Sequence, residues 1–248
     1  MLSLDIARFS VKKEAAKGYL GLLWWFADPA INALLYWFLV VVVFRSADDE
    51  FVPFVLLGLV IWRWIQQSVT GGSNAIYSNS GLMRTVHIPK LVFVFKEVTV
   101  AGYRFVFGFA AIMVIYFLLG YFPTVAYFLL PIQFAATLVM ILGLASLLSS
   151  LVPFFPDTQQ FLPHAFRVLM FVSGVFYSQE RLPEKLVPIY RLNPFSGLVD
   201  GFRAIMMRGE APDFPLLIYA ASVGLACGLV GFVIHMKYNR LYPRIIAA

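Results

Sequence analysis

Six long apolar runs leave this chain few ways to fold. They lie roughly at 29–44, 51–65, 105–122, 125–152, 161–177 and 214–235, in 248 residues that are 61% hydrophobic and 13% charged. So little polar surface cannot cover a water-soluble domain, which places the chain among integral membrane proteins. Inside a bilayer every backbone N–H and C=O must be satisfied by the protein itself, and a helix does this within one segment. Crossing the hydrocarbon takes about 20 helical residues, and the first, second and fifth runs reach that length only with their aromatic flanks. The expectation is an all-α membrane protein, with six transmembrane helices in one bundle and a single domain over 1–248.

Lys and Arg placement orients the bundle, because short cytoplasmic segments retain an excess of them. With both termini cytoplasmic, the inner segments hold Arg8, Lys12, Lys13, Lys17, Arg84, Lys90, Lys96, Lys237, Arg240 and Arg244. The outer loops hold Arg45, Arg181, Lys185, Arg191, Arg203 and Arg208. The net charge of +6 then reads as a topology signal and an attraction to anionic lipid headgroups. The basic residues are scattered, which argues against a nucleic-acid partner. At the start, Leu4, Ala7, Val11 and Ala15 share a helical face, so residues 1–19 are expected to lie as an interfacial helix. No small-residue cleavage site follows it. The single cysteine, Cys227, sits inside the last apolar run and reads as a small buried hydrophobe.

One segment between apolar runs does not look like a loop. Residues 182–209 carry apolar side chains at helical spacing in two short stretches, 182–192 and 195–207, separated by Asn193-Pro194. Two short helices split by proline beside a membrane span suggest a re-entrant outer hairpin between spans five and six. Such backbone is tolerated at membrane depth only where protein or a water-filled path shelters it. Asn193, Pro194 and Arg203 are accordingly the outer-gate candidates.

Covalent chemistry finds no support. There is no G-x-x-x-x-G-K-[ST] loop, no H-E-x-x-H and no Cys pair, and His87, His164 and His235 stand far apart. Metal sites and bound cofactors are therefore not expected, and energy for uphill transport must come from a partner or an ion gradient. Arg167, three residues after His164 in the fifth run, shares a helical face with it. It reads either as a basic spot that meets an anionic headgroup or as a snorkelling side chain paired with Asp157. Arg63, between Trp62 and Trp64, reads as an interfacial snorkeller. Aromatic rings are dense around the first and fifth runs: Trp24, Trp25, Tyr36, Trp37, Phe171 and Tyr177. They serve either as belt and core packing or as a lining on which sugar rings stack. Between the second and third runs, 78–96 holds a short helix with Arg84 and His87 ahead of Ile88-Pro89, a docking surface for a soluble partner.

These residues resemble a known family. Leu20-Gly21-Leu22-Leu23-Trp24 with Asp28-Pro29 is similar to the start of the first span in type-2 ABC exporter permeases of the polysaccharide branch, which exports O-antigen, capsule and teichoic acid. The segment Arg84, Thr85, Val86, His87, Ile88, Pro89 stands where that family has its coupling helix. Leu182-Pro183-Glu184-Lys185, Asn193-Pro194, Arg203 and Gly209 resemble its segment after the fifth span. The resemblance covers nearly the whole chain. It implies a non-enzymatic permease subunit of the cytoplasmic (inner) membrane that pairs with a second copy of itself and with two ATP-binding cassette subunits. ATP and Mg would be held by those subunits and none by this chain, and the cargo would be a lipid-linked glycan. Lys17, His164 and Arg167 would meet its headgroup. Where the family commonly has Arg-Tyr, Asn-Pro and Arg-Asp, this chain has Ala15-Ala16, Asp28-Pro29 and Pro156-Asp157. Two other functions stay open on the residues: export of a small molecule or lipid, and a membrane-embedded enzyme acting on isoprenoid phosphates.

Overall fold

The structure is a computed structural model, which describes residues 50–81, 89–239 and 241–242. In chain order its α-helices are α1 Phe51–Ser73, α2 Ala75–Ser78, α3 Leu91–Leu118, α4 Leu130–Leu151, α5 Thr158–Val172, α6 Val187–Leu192, α7 Pro194–Arg203 and α8 Phe214–Tyr238. There is no strand among the described residues. Among the described residues, four helical segments are long and apolar enough to cross a membrane: α1, α3, α4 with its leading 3-10 turn, and α8. The chain is thus an all-helical, multi-pass membrane protein. The first apolar run, the 1–19 segment and the candidates Lys17, Trp24, Trp25, Tyr36 and Trp37 lie outside the described residues, as do Arg84, Thr85, Val86, His87 and Ile88.

Three boundaries differ from the sequence expectation. Helix α1 continues past Ile65 to Ser73, so Arg63 stands near its middle rather than near its end. Residues 91–96, expected in the loop, are the first turns of α3. Phe93 and Val94 are buried there, and no helix breaker follows Pro89. The third difference matters most for function. The fifth apolar run yields only the 15 residues of α5, about 22 Å of helix at about 1.5 Å per residue. That falls short of the roughly 30 Å of hydrocarbon. Gly174, at φ 71, ends the helix in a left-handed conformation open to glycine.

Two packing themes hold the bundle. Helices α4 and α8 run in the same direction in backbone contact. A Cβ added at Gly224 would lie 2.6 Å from the Met140 Cα, and one at Gly231 would lie 2.6 Å from the Leu147 nitrogen. Small residues permit this approach, which drives helix pairing in lipid. Farther along the same seam Ser149 Oγ lies 2.9 Å from His235 Nε2. Beside it, aromatic rings interlock. Trp64 stacks on Phe105 at 4.2 Å, Phe105 meets Phe109 at 5.3 Å, and Phe134 packs edge-on against Phe202 at 4.9 Å. Much of the aromatic content beyond the first span thus fills the bundle's own interior.

Candidate functional site

The two-helix segment expected from Asn193-Pro194 is present, and its local causes are visible. Asn193 Oδ1 accepts from the Phe195 N–H at 3.0 Å, and Pro194 occupies the first helical position with its φ already set. A proline at that place lets α7 start but denies α6 a continuation. After Arg203 the chain makes a single π-turn over Ala204–Arg208 and leaves through Gly209 at φ 68. The segment is not a solvated loop. Phe195, Leu198, Val199, Phe202 and Ile205 are all buried in the core of the bundle.

Arg203 is the centre of the site. Its side chain is fully buried, at 0% exposure, and no carboxylate among the described residues forms an ion pair with it. Nη1 donates to the Gly174 carbonyl and Nη2 to the Val175 carbonyl, each at 2.7 Å. Nε donates to the Phe54 carbonyl at 3.2 Å, and the guanidinium lies 3.4 Å from the centre of the Phe54 ring. Three elements therefore meet on one planar fork: the start of α1, the turn that ends α5, and α7. Lys could not span these acceptors with one ammonium. The structure places Arg203 as a buried tie between these elements.

The same logic repeats around the segment. Tyr116 donates to the Pro53 carbonyl at 2.9 Å, Gln133 Nε2 to Leu198 at 2.8 Å, Ser196 to Tyr190 at 2.8 Å and Tyr219 to Leu192 at 3.0 Å. Asn193 Nδ2 donates to Ser173 Oγ at 2.9 Å. A carbonyl has two lone pairs, and here side chains supply a donor to it: to the orphaned Leu192 carbonyl at the end of α6, and as a second bond to carbonyls already in helices. Charges gather instead at the rim. Arg208 makes a two-pronged contact with Asp200, at 3.3 and 3.0 Å, and Arg191 lies 3.7 Å from Asp213. Burial works against the charge on Arg208, but the bond to Asp200 and the fields of Asp200 and Glu210 raise its pKa above the ordinary range, so the guanidinium keeps its charge. Asn193→Ala removes both a helix cap and the bond to Ser173. It is expected to cost about 1–2 kcal/mol, read as a lowered melting temperature in detergent, with Asn193→Asp intermediate because it keeps the cap and loses the donor.

The remaining candidates fall in two places. His164 and Arg167 are both exposed on α5, and no ion pair joins Arg167 to Asp157 among the described residues. Those two positions are about 15 Å apart along the helix. Phe171 is 57% exposed and stacks on Phe176 at 5.2 Å, whereas Tyr177 is half-buried and donates to the Val172 carbonyl at 3.2 Å. So α5 presents one face of Phe161, His164, Arg167 and Phe171 that no described element covers. At the other site, Pro89 is exposed and the flanks of its loop are pinned together. Lys96 Nζ donates to Asn79 Oδ1 at 3.2 Å and pairs with Glu97 at 3.0 Å. Sequence reasoning missed Gln133, Tyr116 and Gly58, which build the Arg203 environment. Tyr116 and Gln133 bond to backbone atoms, which leave no signature in side-chain identity, and Gly58 contributes only the room that Arg203 Nη2 fills. No group of three His, Cys, Asp or Glu that could hold a metal occurs among the described residues.

Comparison with known proteins agrees with this architecture. The chain is 23% identical over 246 residues, 99% of its length and 95% of the relative's, to the O-antigen export system permease protein RfbA of Klebsiella pneumoniae. It is 26% identical over 226 residues, 90% of its length and 87% of the relative's, to the protein of that name in Myxococcus xanthus. The profile of the ABC-2 type transporter family matches residues 10–207, a stretch that takes in α1 to α7 and Arg203. Such proteins are membrane permeases, not enzymes, and work with an ATP-binding partner subunit. This chain belongs to the ABC-2 type transporter family.

Proposed function

We propose that the chain is the membrane permease of an ATP-driven exporter that moves a lipid-linked polysaccharide across the cytoplasmic (inner) membrane. The observation that carries this reading is similarity along almost the entire chain to O-antigen export permeases from two different organisms. In this reading residues 1–248 form one type-2 ABC transmembrane domain with six spans, both termini cytoplasmic and 1–19 along the membrane surface. Two copies assemble with two ATP-binding cassette subunits, which hold ATP and Mg.

Each part of the molecule then has a task. Residues 78–96, with Arg84, Thr85, Val86, His87, Ile88 and Pro89 at their centre, dock on the ATPase, and the pinned base formed by Lys96 and Asn79 lets a push there reach α3. The open face of α5 turns His164 and Arg167, with Lys17, toward the glycan's anionic headgroup. A 15-residue helix with charged and aromatic groups on its uncovered side suits a hydrated path better than lipid. Trp24, Trp25, Tyr36, Trp37, Phe171 and Tyr177 line the route, where sugar rings slide across ring faces. Residues 182–209 dip into the outer leaflet as the exit cap. The side-chain donors that satisfy its carbonyls are what membrane depth requires, and the exposed Ile189 and Leu192 meet the apolar surroundings.

The test is reconstitution of the chain with its cognate ATPase in vesicles, following translocation of a labelled lipid-linked glycan. The wild-type complex is expected to export in an ATP-dependent manner. The triple variant Arg84→Ala/His87→Ala/Pro89→Ala is expected to lose about tenfold or more of export, the size of a typical coupling energy, while the subunits still co-purify. Export of a small amphiphile but no glycan would overturn the substrate assignment, and unchanged export by the triple variant would overturn the docking assignment.

A further inference from the structure

Helix α5 carries the exposed His164 and Arg167, yet few of the described residues pack against it. Among the described residues its one substantial neighbour is α1, and only Leu162 and Phe166 of its 15 residues are buried. Asp157 precedes it without a side-chain capping bond, and Pro163 interrupts its backbone ladder. At the far end the helix is fastened firmly, through Ser173, Gly174 and Val175 to Asn193 and Arg203. That fixes where α5 ends but not its rotation about its own axis.

The rotation is set by a notch. Phe166, at 2% exposure, sits 5.9 Å from the Trp62 ring of α1 and 6.1 Å from the Phe195 ring of α7. Trp62 and Phe195 themselves meet edge-on at 5.6 Å, so three rings from three helices close a triangle. Trp62 Nε1 has no hydrogen-bond partner among the described residues, so the indole is held by ring packing alone. At about 100° per residue, seating Phe166 in this notch turns His164 and Arg167 outward. Aromatic pairs of this geometry are directional as well as apolar, and a flexible aliphatic side chain would not key the helix in the same way. We propose that Phe166, seated between Trp62 and Phe195, is the positioning residue that fixes the phase of α5 and so presents His164 and Arg167 to the transported lipid's anionic headgroup. The identity of that headgroup rests on the exporter reading; the keying of α5 does not.

The experiment compares wild type with Phe166→Leu, and with Phe195→Leu, which opens the notch from another helix. Amide exchange over 158–172 is expected to rise about tenfold or more in both variants while α4 and α8 keep their protection. A Leu162→Cys probe in a Cys227→Ser background is expected to pass from unreactive to reactive toward a membrane-impermeant maleimide when Phe166→Leu is added. In vesicles, the concentration of glycan giving half-maximal export should rise while ATP hydrolysis by the partner persists. Unchanged exchange in α5 in both variants would overturn the inference, as would a uniform rise across all helices, the mark of a residue that only fills space. If α5 responds as expected but the wild-type complex moves no glycan, the keying stands and the exporter reading falls.

Discussion

Arg203→Met is expected to destabilise the protein by about 3–6 kcal/mol. The buried carbonyls of Gly174 and Val175 would lose their donor, the Phe54 carbonyl would lose the second of its two donors, and each buried polar group left without a partner costs about 1–3 kcal/mol. For a chain of this size the melting temperature in detergent should fall by about 10 °C or more. Met keeps the bulk and the contact with Phe54, so the loss isolates the fork from packing. Arg203→Lys is the sharper comparison. Charge and stem survive, but one ammonium cannot reach across acceptors on three segments, and less than half of the loss should be recovered. Gly58→Ala approaches the same tie from outside, because a Cβ at Gly58 would stand where Arg203 Nη2 lies. A Lys variant as stable as wild type would show that the charge at this position matters and the fork does not.

How far such a site can be read from sequence depends on what its partners are. Asn193-Pro194 is legible because both residues act on the local backbone, one as an acceptor for the next helix and the other as a bar to the previous one. Arg203 is legible as a position and not as a role. Its partners are main-chain carbonyls of Phe54, Gly174 and Val175, all three brought close only by the tertiary fold, and a carbonyl carries no side-chain signature. The structure adds a buried tie at this gate candidate, and side-chain pattern carries no sign of it for that reason.

The helices follow a similar division. Runs 125–152 and 214–235 map onto the leading turn with α4 and onto α8 almost residue for residue, because unbroken apolar stretches of that length have one outcome in lipid. The run at 161–177 is nearly as apolar but holds Pro163 and Ser173-Gly174, and its helix stops at Val172. Only the conformation of Gly174 and the demand of Arg203 for two carbonyls explain why. Aromatic density is the least decisive signal. Trp64, Phe105, Phe109, Phe134 and Phe202 close on one another, whereas Phe171 stays largely outside. Composition alone does not separate core rings from lining rings.

Gly224→Leu is expected to abolish correct folding, and Gly224→Ala to cost about 2 kcal/mol, within the range for overpacked cores. A Cβ at Gly224 would meet the Met140 Cα at 2.6 Å and its nitrogen at 2.8 Å. These are backbone atoms of a facing helix and cannot swing aside, so α4 and α8 would have to separate. Separation would also pull Ser149 from His235, a buried pair on the same seam. Gly228, one turn along α8, supplies the control. A Cβ there would lie 3.4 Å from the Gly143 Cα, an ordinary contact, and replacing Gly in a helix gains up to about 1 kcal/mol of propensity. Gly228→Ala should therefore melt at or above the wild-type temperature in the same detergent. The two glycines share the small-xxx-small spacing that pairs membrane helices, so the motif alone assigns them equal weight. Equal losses at the two positions would mean that the seam tolerates no added carbon anywhere and that close approach at Met140 is not its cause. A loss at Gly224 without one at Gly228 would place the close approach at the Met140 crossing rather than in the spacing of the glycines.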